Sequence, residues 1–429
     1  MENFSIVLFL LAVVIGLSAL ADRVRISYPI LLILAGLVIG FTPQLPDVEL
    51  DPEIIFLIFL PPLLYEAAFN ISAGEFKTNL NTITSLAIPL VFTTAAGIAV
   101  VAHYLIPGMH WPVAFVLGAI LSATDAVAAM GITKGLGLPG RINTILEGES
   151  LVNDASALIA YRFAVAAVTG SSFIIWKASL QFLILMGGGL LAGLVISRLL
   201  GLILVRVRDN YQVSISLMLL MPFVTYLVAE EIHVSGVIAV VTLGLSLARF
   251  SRQAFPEAMK QQSKSLWDTM IFLLNGLIFI LIGLEFPVIV KSIPAGDILP
   301  YIGYSFIITL VALILRFSRV LLQKERLNRT FRRRPGRVSE YALLNLKDSV
   351  IVSWSGMRGI ISLAIAIGLP LTIGNGLAFP ERKPIIFIAV TVVLFTLLGQ
   401  GLSLPWLVRR LKAIGPVKPE AELPTETGG

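Results

Sequence analysis

The sequence predicts an all-α polytopic membrane protein with about thirteen transmembrane helices. Hydrophobic residues make up 57% of the 429 residues and charged residues only 14%, and the mean hydropathy is +0.91. A chain of this length and composition does not fit a soluble globular class. The apolar residues also fall into stretches of the length that a membrane-spanning helix needs, about 20 residues.

The predicted spans follow one another with short connections, so no sizeable soluble domain fits between them. The second stretch is short, and the eighth and ninth nearly touch. Residues 412–429 form a Pro/Glu-rich tail, which we expect to be short, cytosolic and disordered. The apolar stretches lie near residues 4–20, 28–41, 53–70, 83–106, 112–134, 143–169, 175–205, 211–229, 233–250, 267–290, 298–322, 345–371 and 384–408.

Lysine and arginine predict the orientation, because they concentrate in the cytoplasmic loops of membrane proteins. Placing the N-terminus outside and the C-terminus in the cytoplasm puts most of them inside, including the basic loop 323–341. We therefore expect a multi-pass protein of the plasma or inner membrane. The run Arg332-Arg333-Arg334 lies beside a span, which favours contact with anionic membrane lipids and not with nucleic acid.

The chain contains no cysteine, which excludes disulfides, thiol catalysis and thiolate metal sites. It has three histidines, and no pair of them has the spacing of metal ligands. We expect no cofactor.

The segment Glu147-Gly-Glu-Ser-Leu-Val-Asn-Asp154 places polar residues at mid-depth of a predicted span. A charge at the bilayer centre costs roughly 2.5–3.5 kcal/mol even on lenient scales, so such residues indicate a function. Glu149 and Asn153 are one helical turn apart, and so are Ser150 and Asp154. The second pair offers the hard oxygen ligands that a small cation prefers.

Two other spans carry charge at mid-depth. The preceding span contains Thr124 and Asp125, and Asp125 could cap a half-helix there. The span 345–371 contains Arg358 between Gly356 and Gly359, a pattern that predicts a broken helix with free backbone ends. Glycine-interrupted segments in corresponding halves are typical of inverted-repeat transporters.

Two further charges have their own interpretations. Glu66 follows Pro61 and Pro62, which predict a kink, and it either faces the ion site or reaches the inner headgroups. Glu149 needs a cationic partner inside the membrane, and we predict that Arg358 forms this ion pair, since a buried pair costs less than two lone charges.

These motifs resemble the monovalent cation/proton antiporter family, and within it the bacterial NhaP-type antiporters related to animal sodium/proton exchangers. The resemblance rests on Leu60-Pro-Pro-Leu-Leu-Tyr-Glu66, Ala123-Thr-Asp125, the Glu147–Asp154 segment and Trp354-Ser-Gly-Met-Arg-Gly359. The family often has a proline after its Thr-Asp pair, where this chain has Ala126. The resemblance implies an inverted-repeat antiporter fold whose broken helices cross in a core domain.

The resemblance also implies a domain division and a homodimer. The scaffold and dimerisation helices would cover about 4–70 and 211–290, the transport core about 83–169 and 298–408, and a linker helix about 175–205. The core would rise and fall past the scaffold.

The resemblance implies a role for each site residue. Asp154 would bind cation and proton in turn, Asn153 would orient the site, and Glu149 with Arg358 would hold it together. The ion shell would be completed by Ser150, Asp125, the Thr124 carbonyl and, nearby, Glu66.

The expected function is electroneutral exchange of one sodium ion for one proton by alternating access, which serves pH homeostasis and is not enzymatic. The Asn153-Asp154 pair resembles the electroneutral branch of the family. Potassium, or lithium, in place of sodium is the main alternative. An intramembrane aspartyl protease using Asp125 and Asp154 is a remote one, because its Gly-x-Gly-Asp signature is absent.

Overall fold

The computed structural model describes residues 2–24, 28–41, 52–71, 73–133, 138–170, 175–333, 343–373 and 376–411. Within these ranges the chain is built of helices joined by short connections. In chain order the helices are α1 (Glu2–Val24), α2 (Tyr28–Gly40), α3 (Pro52–Asn70), α4 (Ala73–Ala87), α5 (Pro89–Leu105), α6 (Trp111–Ile120), α7 (Ala126–Thr133), α8 (Gly140–Val168), α9 (Ile175–Val207), α10 (Tyr211–Glu231), α11 (Gly236–Ala254), α12 (Glu257–Lys291), α13 (Ala295–Arg333), α14 (Leu346–Trp354), α15 (Ile360–Ile367), α16 (Arg382–Phe395) and α17 (Gly401–Leu411).

The predicted fold class is confirmed, because the described chain is an all-helical bundle with the apolar helices of a polytopic membrane protein. Of the described helices, seven are long and apolar enough to cross a membrane. Two of the predicted spans missing from this set, 112–134 and 345–371, are each made of two short half-helices. The number thirteen stays a prediction.

Helix boundaries follow local capping chemistry where the predicted spans come close together. Asn210 caps α10 by accepting a hydrogen bond from the Val213 backbone N–H at 3.2 Å, and Ser235 caps α11 through the Ile238 N–H at 3.3 Å. A side chain that satisfies a free N–H of the first turn fixes where a helix begins. The eighth and ninth predicted spans are therefore separate helices joined by a tight turn.

Two spans are interrupted at mid-length, and their interruptions touch each other. Residues 121–125 separate α6 from α7, and residues 355–359 separate α14 from α15. The Asp125 backbone N–H donates to the Met357 carbonyl at 2.8 Å, which joins the two breaks directly. The break predicted around Arg358 is confirmed, and the crossing of two broken helices places four helix ends in the middle of the bundle.

The helices pack in two sets around this crossing. α12 lies along α2 and also contacts α1, while α3 packs against α10 and α11. In the other set α8 packs against α4 and α6, and α13 contacts α5, α14 and α16. α3 and α12 also contact α15, so both sets adjoin the crossing of the broken helices.

Candidate functional site

A cavity of about 120 Å³ lies beside the crossing of the broken helices. It is mostly apolar, with a few oxygen-bearing side chains, as small-ligand sites usually are. The cavity is not lined by Glu149, Asn153 or Arg358, which are buried behind its wall. The predicted residues that line it are Glu66, Thr124, Asp125, Ser150 and Asp154.

Asp125 lies at the N-terminal ends of α7 and α15, which are the second half-helices of the two broken spans. Its carboxylate accepts a hydrogen bond from the Ala128 N–H of α7 at 3.3 Å and from the Ile360 N–H of α15 at 3.3 Å. The N-terminal end of a helix carries a partial positive charge and free N–H groups, so a carboxylate is stabilised there. Asp125 is thus a shared cap, as one sequence interpretation had it, and it also faces the cavity.

Ser150 connects α8 to the first break. Its hydroxyl donates to the Thr124 carbonyl at 3.0 Å and accepts from the Ala126 N–H at 3.3 Å. Asp154 lies one turn along the same helix and lines the same cavity. Asp154 is only 7% exposed, and within the described residues it forms no ion pair. One hydroxyl therefore fixes the extended segment beside a carboxylate that has no cationic partner.

The predicted ion pair between Glu149 and Arg358 is wrong: Glu149 pairs with Arg316 of α13. Both Glu149 oxygens are engaged in a bidentate pair, with Arg316 Nη2 at 2.9 Å from Oε2 and Nη1 in contact with Oε1. Both side chains are almost completely buried. The fork geometry of arginine matches a carboxylate, which makes this the strong form of a buried pair.

Arg316 also donates hydrogen bonds to backbone carbonyls at the end of α14. Its Nε donates to the carbonyls of Val352 and Ser353 at 3.2 and 3.1 Å, and Nη2 donates to Val352 at 2.9 Å. These carbonyls lie where the helix breaks off and carry partial negative charge. The sequence reasoning overlooked Arg316 because it lies toward one end of its predicted span, where arginines commonly reach the surface.

Arg358 likewise donates to a backbone carbonyl at the end of α6, the first half-helix of the other broken span. Its Nε donates to the Leu121 carbonyl at the end of α6 at 2.9 Å, and Nη1 donates to the Gly356 carbonyl at 3.0 Å. Its backbone N–H donates to the Thr396 hydroxyl at 3.2 Å, at the start of a π-helical segment. The carbonyls at the ends of α6 and α14 thus each accept hydrogen bonds from an arginine, whereas α7 and α15 share the Asp125 carboxylate at their N-terminal ends.

Asn153 belongs to the supporting network. Its amide nitrogen donates to the Thr124 hydroxyl at 2.6 Å, and that hydroxyl donates to Glu149 at 3.2 Å. The chain of hydrogen bonds from Arg316 through Glu149 and Thr124 to Asn153 holds the first break against α8. The orienting role that the family resemblance implies for Asn153 stays a prediction.

Gly356 and Gly359 are needed for the close approach of the two breaks. A Cβ atom on Gly359 would overlap the Asp125 carboxylate, and one on Gly356 would overlap the Arg316 guanidinium. The glycines therefore make room for the two charged side chains that satisfy the helix ends.

Two other charged residues near the site have defined partners. Arg162 of α8 pairs with Glu230 of α10, with Nη2 at 2.9 and 3.0 Å from the two carboxylate oxygens, and Glu230 also accepts the Gly236 N–H at 3.0 Å. Glu230 therefore neutralises Arg162 near the end of α10. Glu66 accepts a hydrogen bond from Asn70 one turn along α3, and it lines the cavity.

Asn275 on α12 lines the cavity and was overlooked by sequence reasoning. Its side chain is 2% exposed and hydrogen-bonds to Tyr28, while its Oδ1 atom has no hydrogen-bond partner. The available signal was an amide in the middle of an apolar span. A buried carbonyl oxygen beside Asp125 and Asp154 adds a neutral oxygen ligand to the cavity wall.

The described residues contain no group of three or more His, Cys, Asp or Glu side chains placed to hold one metal ion. Glu66, Asp125 and Asp154 thus line one cavity without converging on one point. A cation there would combine at most two carboxylates with neutral oxygens, a set that suits a weakly bound, low-charge ion better than a structural divalent one.

Comparison with known proteins agrees with this geometry. The family model described as "Sodium/hydrogen exchanger, transmembrane" matches residues 9–410. The chain belongs to the sodium/hydrogen exchanger family. It is 35% identical to the uncharacterized Na(+)/H(+) exchanger YjcE of Escherichia coli, with 96% of this chain and 77% of that protein covered.

Other members are similarly close. The chain is 35% identical to the sodium, potassium, lithium and rubidium/H(+) antiporter of Bacillus pumilus, over 95% of this chain, and it spans 61% of that protein's length. It is 33% identical to the Na(+)/H(+) antiporter ApNhaP of Aphanothece halophytica, over 97% of this chain and 75% of that protein. The suspected family is confirmed.

The fold agrees with a solved member. The sodium proton antiporter MjNhaP1 of Methanocaldococcus jannaschii superposes with a TM-score of 0.73 at 19% identity, covering 96% of this chain and 99% of that one. This likeness establishes the antiporter fold. The chain is therefore a multi-pass membrane protein of a cation/proton antiporter family.

Proposed function

We propose that this protein exchanges one monovalent cation for one proton by alternating access, with Asp154 as the shared site. The proposal rests on one observation: the two carboxylates of one α8 motif, Glu149 and Asp154, differ in whether they have a cationic partner. Glu149 is neutralised by Arg316, whereas Asp154 faces the cavity and forms no ion pair among the described residues. A buried carboxylate without a partner must bind a cation or a proton to avoid a costly lone charge.

This requirement explains exchange. A cation and a proton compete for Asp154, so the loaded forms are neutral at the site and the empty form carries a buried anion. If only the loaded forms move across the barrier, each cation carried one way is matched by a proton carried the other way. Ser150, Asp125, the Thr124 carbonyl and Glu66 would complete the ion shell, with Asn275 as a further oxygen ligand.

The proposed one-to-one stoichiometry rests on Asn153. An acidic residue at this position would offer a second proton site beside Asp154, whereas the amide of Asn153 is committed to Thr124. Sodium is the proposed cation. The name of the Bacillus pumilus relative includes potassium, so potassium/proton exchange is the alternative within the same mechanism.

The proposed division into scaffold and core places the cavity at their boundary. The cavity lies between residues of α3 and α12, in the proposed scaffold, and residues of α7, α8 and α15, in the proposed core. Motion of the core past the scaffold would then change which side of the membrane the cavity meets. We further propose a homodimer formed through the scaffold helices.

The proposed orientation has the N-terminus outside and the C-terminus in the cytoplasm, as the Lys and Arg distribution predicts. The cavity shares Glu66 and Asn70 with a second cavity that is lined by Arg252, Lys260 and Lys264, residues at the ends of α11 and α12 that the predicted topology assigns to the cytoplasmic side. The conformation is accordingly proposed to face inward.

The substitution Asp154→Asn tests the proposal. It keeps the shape of the side chain but removes the titratable charge, so we expect sodium-driven proton movement in proteoliposomes to fall to the level of protein-free vesicles. Size-exclusion behaviour and thermal unfolding should stay close to wild type. The matched control is Asp297→Asn at the start of α13, which should exchange normally. Exchange in Asp154→Asn at the wild-type rate would refute the assignment, and parallel assays with sodium, potassium and lithium would define the cation.

A further inference from the structure

A second cavity of about 210 Å³ lies between α3, α10, α11 and α12. It shares Glu66 and Asn70 with the ion cavity, so the two cavities are neighbours along one path. An occupant of the second cavity would stand between the ion site and the solvent on this side of the membrane.

Three buried polar groups around this cavity have no hydrogen-bond partner. They are the hydroxyl of Tyr65, the hydroxyl of Ser263 and the indole N–H of Trp267, and all three side chains line the cavity. Each is less than a tenth exposed, and the rings of Tyr65 and Trp267 pack with centroids 4.9 Å apart. Native proteins seldom leave buried polar groups unpaired, so each calls for an explanation.

The three groups have the same chemistry. An indole N–H can only donate a hydrogen bond, and both hydroxyls can donate. Three donors on residues that line one cavity lack an acceptor, and the ligand that supplies several acceptors at once is an oxyanion. Water could satisfy single donors, but it does not account for the cations around them.

Cationic side chains complete the wall. Arg252, Lys260 and Lys264 line the same cavity, against the carboxylates of Glu66 and Asp268. Arg252 is positioned by the Ile71 carbonyl at 3.1 Å, and Lys264 forms no ion pair within the described part of the chain. Lys260 is paired with Glu257 at 2.8 Å, so Arg252 and Lys264 are the two cations of the wall that an anionic ligand would engage.

We propose that this cavity is a binding site for a phosphate-bearing anion, and that the bound anion obstructs the cation path at Glu66 and Asn70. The phosphate oxygens accept from Tyr65, Ser263 and Trp267, and Lys264 and Arg252 balance the charge. The phosphate belongs either to a lipid headgroup or to a small soluble molecule, since the two sources offer the same oxygens.

Binding is measured first, without transport, so that its outcome does not depend on the proposed antiport. The delipidated protein is heated in detergent with inorganic phosphate, and with chloride at equal ionic strength as the reference. In a second arm it is reconstituted in phosphatidylcholine vesicles with or without phosphatidic acid. The expected result is a rise in the unfolding temperature with phosphate, with phosphatidic acid, or with both.

The variants Tyr65→Phe, Ser263→Ala and Lys264→Gln each remove one proposed contact and keep most of the packing. Each should weaken anion binding about tenfold, because a hydrogen bond to a charged group contributes that much. Without the anion, Tyr65→Phe and Ser263→Ala should be at least as stable as wild type, since they delete an unpaired buried group. A merely structural hydroxyl would lower stability under both conditions. Lys383→Gln, an exposed lysine on α16, is the control and should bind like wild type.

The same samples show whether the phosphate comes from a lipid or from a soluble molecule, and whether the bound anion obstructs the cation path. Stabilisation by inorganic phosphate supports a soluble ligand, and stabilisation by phosphatidic acid alone supports a lipid headgroup. The anion that binds should also slow cation/proton exchange in wild type and less in Lys264→Gln. The absence of stabilisation in both arms, or equal stabilisation of all variants, would overturn the site, and binding without slower exchange would overturn the obstruction.

Discussion

Replacing Arg316 by methionine should unfold the protein far more readily than replacing any other arginine of α13. Arg316 is almost completely buried and supplies a bidentate pair to Glu149 and three hydrogen bonds to the end of α14. Removing one partner of a buried pair typically costs about 3–5 kcal/mol, because the other charge is left uncompensated. The orphaned carbonyls of Val352 and Ser353 add to this cost, so Arg316→Met should lie at the upper end of that range.

The control lies less than one helical turn away. Arg319 is half-buried and makes two long hydrogen bonds to Ser85, at 3.3 and 3.4 Å. Arg319→Met should therefore cost about 1 kcal/mol or less. The two variants delete the same charge from the same helix, so the difference between them isolates the buried pair.

A double-mutant cycle decides between the observed pair and the one predicted from sequence. Glu149→Gln combined with Arg316→Met should be much less destabilised than the sum of the single variants, with a coupling of up to about 3 kcal/mol. The cycle with Arg358→Met should show a clearly smaller coupling. The assay is reversible unfolding of the purified protein in mixed detergent micelles, followed by tryptophan fluorescence. Additive losses for Glu149 with Arg316, or stronger coupling of Glu149 with Arg358, would refute the reasoning.

The remaining predictions concern the site and the transport cycle. Gly359→Ala should displace the Asp125 carboxylate and abolish exchange while the protein still inserts in the membrane, and wild-type kinetics in this variant would contradict the close approach. Asn275→Ala should raise the KM for the cation several-fold with a smaller change in maximal rate, because a neutral oxygen is lost and Asp154 is retained; an unchanged KM would show that the amide does not reach the ion. An imposed membrane potential should leave the initial exchange rate unaltered at fixed ion gradients, and a transport current that scales with turnover would rule out one-to-one exchange.

The sequence alone determined the features that depend on local composition. Mean hydropathy and span length specify a polytopic helical protein, because each spanning segment must satisfy its backbone within itself. The break at Arg358 was also predictable, since the flanking glycines act within a few residues. Asp154 stood out for the same kind of reason: a carboxylate at mid-span indicates a function wherever the neighbouring helices lie.

The tertiary structure decided which charges meet. Glu149 and Arg316 are 167 residues apart, so their pairing depends on how α8 and α13 pack and not on any spacing along the chain. The sequence offered Arg358 as the partner because its depth was evident, whereas the depth of Arg316 depends on where α13 crosses the broken helix. The same applies to Arg162 with Glu230 and to Asn275 beside the cavity. Hydropathy assigns a residue a depth along its own helix, but only packing assigns it a neighbour.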